Sequence, residues 1–213
     1  MEILPGVLAT DELDCKQKLL HPRLQKVAKI FHVDVLDGTM FENTCWADPE
    51  IVGSWSGLPH IELHCMVQNP LPVAEAWYKH VPTLKRVIVH KEIGRSLKHV
   101  VAELGQLELE VIVALNPDTP VDEILGLPVD ALTIMGVQPG KSGQTFLGEP
   151  ILSKVKRTRV LLPDCPLELD GGVSEKTIGQ IAQAGVTRCV ASSALWKAEN
   201  PVEAYENLLT KLR

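Results

Sequence analysis

Residues 30–36 read Ile30-Phe31-His32-Val33-Asp34-Val35-Leu36. Seven residues rich in β-branched and aromatic types suit a strand better than a helix. Side chains alternate across a strand, so His32 and Asp34 share one face and Val33 and Val35 share the other. The valine face asks for a cover of helices. The other face sends a histidine and an aspartate inward, where an isolated charge costs several kcal/mol.

Short runs of similar character recur at 3–8, 60–67, 86–90, 110–115, 131–137, 167–170 and 188–191. Between and after them lie helix-like stretches at 11–28, 48–55, 70–80, 95–107, 121–125, 149–161, 174–184 and 200–212. Strict alternation of strand and helix predicts a parallel sheet with helices outside. Eight such units in 213 residues point to one closed (β/α)8 TIM barrel, an α/β fold, as a single domain over 1–213. A doubly wound open sheet would carry a glycine-rich first turn; the first strand here ends in Leu8-Ala9-Thr10-Asp11, without GxGxxG. Ser174 is placed as a helix N-cap, and Pro70 and Pro150 stand near helix starts, where a missing N–H is harmless.

Hydrophobic residues make up 45% of the chain, enough for a large core, and aromatics only 4%, so aliphatic packing must dominate. A net charge of −6 speaks against non-specific nucleic-acid binding. Five scattered cysteines without a CxxC pair read as reduced thiols. No basic leader followed by an apolar stretch is seen, and no run nears the roughly 20 apolar residues of a membrane span. Together these predict a cytoplasmic protein without membrane partners.

In barrels of this kind, chemistry sits at the C-terminal strand ends. Parity places Glu62, His64 and Met66 inward in the third strand, and Glu168 and Asp170 inward in the seventh. His32, Asp34, His64 and Asp170 then converge. A lone buried histidine is commonly a hydrogen-bonded core residue, but four such residues at matching strand ends form a site. Two imidazoles and two carboxylates suit one divalent ion such as Zn²⁺, Fe²⁺, Mn²⁺ or Co²⁺, and are too nitrogen-rich for Ca²⁺. Glu62 and Glu168 are expected to orient these ligands from behind.

Five segments taken together resemble the ribulose-phosphate 3-epimerase family. They are His32-Val33-Asp34-Val35-Leu36-Asp37-Gly38, Glu62-Leu63-His64-Cys65-Met66-Val67, Met135-Gly136-Val137-Gln138-Pro139-Gly140, Gly143-Gln144-Thr145-Phe146 and Leu169-Asp170-Gly171-Gly172-Val173. The resemblance runs from Ile3 to about Trp196. It implies a ribulose-phosphate-binding barrel that interconverts D-ribulose 5-phosphate and D-xylulose 5-phosphate, in the pentose phosphate pathway of carbohydrate metabolism. Related members act on hexulose 6-phosphates. It also implies His32, Asp34, His64 and Asp170 as metal ligands, with Asp34 and Asp170 as the acid/base pair. Met66 and Met135 would pack near the reacting carbons, with Leu36 where the family has a third methionine. The sugar phosphate would be held by Gly140, Gly143, Gln144, Gly171, Gly172, Ser192 and Ser193.

The chain departs from the family pattern at several of these places. Lys141 and Ser142 stand where Phe and Gly are usual, Ser192 where Gly is usual, and Gly6 and Ala9 where the family has serines. Lys141 reads either as a phosphate partner or as a solvated loop lysine. His90 and Asn116 are candidates to line the site; His21, His60, His80 and His99 are expected at the surface. Trp46, Trp55, Trp77 and Trp196 read as packing or subunit-contact residues, in keeping with an expected homo-oligomer. A decarboxylase or aldolase would need a lysine two residues after a strand aspartate, and Asp34 is followed by Val35-Leu36. A barrel that binds a sugar phosphate without turnover is the other alternative, although it has no need of two opposed carboxylates.

Overall fold

Hydrogen bonding closes the sheet on itself. The computed structural model describes residues 1–212. Its strands β1 (Glu2–Val7), β2 (Ile30–Leu36), β3 (His60–Met66), β4 (Leu84–His90), β5 (Glu110–Leu115), β6 (Ala131–Met135), β7 (Leu167–Asp170) and β8 (Arg188–Ala191) form a closed parallel barrel in sequence order. Around it lie α1 (Glu12–Leu19), α2 (Leu24–Val27), α3 (Pro49–Gly53), α4 (Pro70–His80), α5 (Leu97–Leu104), α6 (Glu149–Leu161), α7 (Ile178–Ala184), α8 (Ser193–Trp196) and α9 (Pro201–Thr210).

The helix bounds differ from expectation where local chemistry intervenes. The stretch 11–28 is two helices, because Pro22 has no N–H to donate and its ring opposes a continuous helix. The stretch 121–125 is one 3-10 turn, Val121–Ile124, too short between Pro120 and Gly126 to wind further. Ser174 does not cap α7. It opens a tight turn in which Thr177 and Ile178 donate to its carbonyl, and Thr177 takes the N-cap position. Pro70 and Pro150 do occupy the first turns of α4 and α6. Asp11, Asp48 and Asn200 accept backbone N–H groups at the starts of α1, α3 and α9.

Outward-facing side chains such as Phe31, Val33, Leu63, Val87, Val113 and Leu169 pack against the helices in the main core. The barrel interior is divided. Ile88, Ile112, Ala114, Ala131 and Met135 form an apolar cluster on one side. Fully buried His32, Glu62, His64, His90, Thr133 and Glu168 supply the polar part. The N-terminal mouth is plugged by ion pairs. Arg86 meets Glu2 at 3.1 Å, Glu62 at 3.3 Å and Glu110 at 2.9 Å, and Arg188 meets Glu110 at 2.5 Å. No described helix is long and apolar enough to cross a membrane.

Candidate active site

Register assembles the floor of the open mouth. Parallel pairing sets His32 beside Glu62 and Asp34 beside His64, and sets Met135 beside Asp170. Strand parity then turns all the polar members inward, as the sequence predicts. His32 Nε2 and His64 Nδ1 lie 3.2 Å apart, and each is 3.1 Å from Asp34 Oδ1. Asp170 Oδ2 is 3.5 Å from His64 Nδ1 and 4.0 Å from His32 Nε2.

These four residues could hold a metal ion: one ligand atom from each lies within 4.8 Å of the others. Bonds of ~2.0–2.2 Å around one tetrahedral ion place its ligand atoms about 3.3–3.6 Å apart. The separations here bracket that range, so the donor set fits in distance as well as in chemistry.

Electrostatics agree. Burial disfavours a charge on His32, yet the Asp34 carboxylate and hydrogen bonds to Asp34 and Glu62 raise its pKa well above the ordinary value. A histidine pKa raised in spite of burial marks surplus negative charge around it, which is a field suited to a cation. Burial likewise opposes ionisation of Asp34, but neighbouring His32 above all holds its carboxyl below the usual range. Burial, with Asp34 and Glu62 nearby, lifts Asp170 to about 7. His64 is lowered to about 4 by burial and by neighbouring His90 and His32, so it is a neutral imidazole with a lone pair to offer.

Behind this floor, His32 Nδ1 donates to Glu62 Oε1 at 2.8 Å, and Arg86 balances Glu62 from below. Glu168 receives the Thr133 hydroxyl at 3.0 Å, while its second oxygen is buried without a partner. Burial and the Glu62 charge push its pKa well up. Glu62 thus hydrogen-bonds His32, whereas Glu168 makes no hydrogen bond to any of the four floor residues.

Above the floor, one cavity gathers the other candidates. Asp34 and Asp170 line it, with Met66 and Met135 as apolar wall and Gly140, Gly143, Gln144, Gly171, Gly172, Ser192 and Ser193 as rim. Gly172 has φ +73°, and a Cβ there would meet Phe146 Cα at 2.6 Å, so only glycine lets the β6 and β7 loops touch. Such a cradle of glycine backbone at the mouth is the kind that accepts an anion. The Gln144 amide turns back to donate to the carbonyls of Gln138 and Lys141, at 2.5 and 2.9 Å, so it braces the loop. Lys141 is exposed on the rim. Leu36 is buried with one methyl carbon 3.9 Å from an ideal Cβ on Gly140, beside the cradle.

Two features escaped the sequence reading, and the candidates His90 and Asn116 do not line the cavity. The loop after β2 straps the mouth: Asn43 donates to the Gly140 carbonyl at 2.9 Å, and the Cys45 thiol accepts from Leu36 N and donates to Asp34 O, both at 3.2 Å. Lys197 brings its ammonium to the back of Gly143, 3.0 Å from where a Cβ would stand. His90 does not face the cavity; it stacks behind His64, 5.0 Å between centroids at 9°. The pairing His90-Lys91-Glu92 at a strand end was the available signal for it. Trp77 is core, Trp46 stacks on Trp55, and Trp196 donates to the Gly6 carbonyl at 2.6 Å.

Fold and site together define a class: barrels of the ribulose-phosphate-binding type, with a His–carboxylate floor and a glycine-rich rim. The chain belongs to the ribulose-phosphate 3 epimerase family, whose model matches residues 2–196. It is an isomerase of that epimerase type by family and by its relatives. It is 30% identical to a ribulose-phosphate 3-epimerase of Helicobacter pylori, covering 98% of this chain and 96% of the relative. It is 34% identical to that of Mycobacterium tuberculosis H37Rv, over 81% of this chain and 77% of the relative. A rice relative at 30% identity, covering 97% and 92%, is a cytoplasmic isoform. Among solved structures, a 3-hexulose-6-phosphate synthase superposes with TM-score 0.69 at 17% identity, over 100% of this chain and 99% of the other. An orotidine 5'-monophosphate decarboxylase from Sulfolobus solfataricus gives 0.66 at 13%, over 99% and 96%. At those identities the likeness is one of fold.

Proposed function

We propose that the protein inverts carbon 3 of a ketose phosphate, with D-ribulose 5-phosphate and D-xylulose 5-phosphate as the pair. The observation that carries this reading is the meeting of His32, Asp34, His64 and Asp170 on the floor of a cavity whose rim is a glycine cradle. The cradle at Gly143, Gly172, Ser192 and Ser193 would receive the phosphate, placing the carbonyl end of the sugar over the two aspartates. A divalent ion held by the four floor residues would supply Lewis-acid stabilisation of the charge that develops on the ketone oxygen.

Inversion needs one group to remove the proton from one face and another to return a proton to the opposite face. Asp34 on β2 and Asp170 on β7 stand three strands apart around the closed barrel and meet that need. Either aspartate acts as base or as acid according to the direction of reaction. Met66 and Met135 keep water from the planar enediolate between them. The same machinery would serve a hexulose 6-phosphate, and the side chains of Lys141, Ser142 and Ser192 on the rim are the feature that favours testing it.

The test is incubation of the metal-loaded protein with ribulose, xylulose and hexulose phosphates in D₂O. Deuterium is expected at carbon 3 of the pentulose phosphates. Exchange confined to the hexulose phosphate would shift the substrate, and exchange with none would leave a binding barrel. Asp34→Asn and Asp170→Asn should each lower kcat by roughly 10³-fold while the circular dichroism stays that of the parent. Near-parental turnover in either variant would remove that residue from the proton transfer.

A further inference from the structure

Behind His64 lies a second buried imidazole that the epimerase reading leaves without a task. His64 Nε2 and His90 Nε2 are 2.8 Å apart, and both rings are fully buried. At that distance one proton lies between the rings, so only one of them donates. The other nitrogen of His90 settles which. His90 Nδ1 faces Glu92 Oε2 at 3.3 Å and Asn116 Oδ1 at 3.1 Å, both acceptors.

The acceptors are themselves fixed. The other oxygen of Glu92 receives the Asn116 backbone N–H at 2.9 Å and the Thr119 hydroxyl. Lys154 donates to the Asn116 carbonyl at 2.5 Å, which anchors the loop carrying both donors. Facing a carboxylate, His90 Nδ1 must carry hydrogen. A neutral His90 then has a bare Nε2 and must accept from His64. His64 is in turn bare at Nδ1, the nitrogen aimed at His32, Asp34 and Asp170.

We propose that His90 is a positioning residue: the relay Glu92–His90–His64 locks His64 as the Nε2–H tautomer and so presents its Nδ1 lone pair to the ligand centre. Outer partners of this kind set both the tautomer and the orientation of ligating histidines. The relay has work to do, because Asp34 Oδ1 stands 3.1 Å from His64 Nδ1 and would otherwise draw the proton to the wrong nitrogen. The inference rests on the reading of the four floor residues as a metal centre.

Two measurements test it without recourse to activity. In the metal-free protein, long-range ¹⁵N–¹H correlations of the imidazoles should show His64 protonated at Nε2 and bare at Nδ1; a proton on Nδ1 would overturn the relay. Zn²⁺ affinity, measured by competition with a chromophoric chelator, should fall about 10–100-fold in His90→Leu. It should stay within roughly threefold of the parent in His90→Gln, whose carbonyl can accept from His64 Nε2. A folded His90→Leu that binds Zn²⁺ as tightly as the parent sinks the relay. If that variant does not fold, the tautomer of the parent decides. A parent that binds no divalent ion would instead sink the metal centre itself, so the two failures are distinguishable.

Discussion

At Gly6 the pairing of β1 with β8 leaves no room for a side chain. A Cβ there would lie 2.7 Å from Val190 Cγ1 and 3.1 Å from Ser192 Cβ. The Ser192 hydroxyl sits 3.4 Å from that of Ser142 across the rim. A side chain at position 6 would thus press on Val190 and, less tightly, on the side chain that Ser192 adds after strand 8. Gly6→Ser should destabilise by about 1–3 kcal/mol in urea unfolding, through overpacking. Ser192→Gly should relieve part of that loss, so the double variant should be more stable than the sum of the single effects. Strict additivity would show that the two positions do not share space.

Among the elements, the turn after β4 is tied down by charge. Burial opposes ionisation of Glu92, yet hydrogen bonds from His90, Thr119 and Asn116 lower its carboxyl from the ordinary 4.5 to about 2. A pKa lower in the folded than in the unfolded chain means stability that is present above the unfolded value and lost as pH falls toward the folded one. Glu92→Gln should therefore be less stable than the parent by about 2 kcal/mol near neutral pH. The gap should narrow as pH drops from 4.5 toward 2. Urea midpoints at a series of pH values check this, and a gap that does not narrow would show that Glu92 gains nothing from its charge. The helices α1 and α2 show the opposite case, in which local covalent chemistry at Pro22 overrides an apolar period that would have run on.

For the molecule as a whole, the site joins strands from distant parts of the chain, so anything bound there resists unfolding of the entire barrel. A divalent ion at 100 times its Kd would add about 2.7 kcal/mol to the native state. For a chain of this size that corresponds to a Tm shift of roughly 5–10 °C. Scanning calorimetry with and without chelator should show that fall, and one cooperative transition in each case, as expected if residues 1–213 are one domain. A Tm indifferent to Zn²⁺, Mn²⁺ and Co²⁺ would argue against a resident ion, and two transitions would argue against a single unit.

The alternation of strands, the inward parity of His32 and Asp34 and the company of His64 and Asp170 were legible in the sequence alone. The parity follows from a period of two along one strand, a local property of the backbone; the company follows from the barrel that the strand–helix alternation implies, with the family motifs marking which residues meet. The candidate rim, Gly140, Gly143, Gly171 and Gly172, came from the family resemblance and not from any period in the chain. Tertiary structure alone decided that His90 stands behind His64 instead of on the cavity, that Gly6 and Ser192 compete for one space, and that Asn43 straps Gly140. These depend on register and loop approach between segments up to 186 residues apart in the chain, and no periodicity within a segment carries information about the segment that will lie beside it.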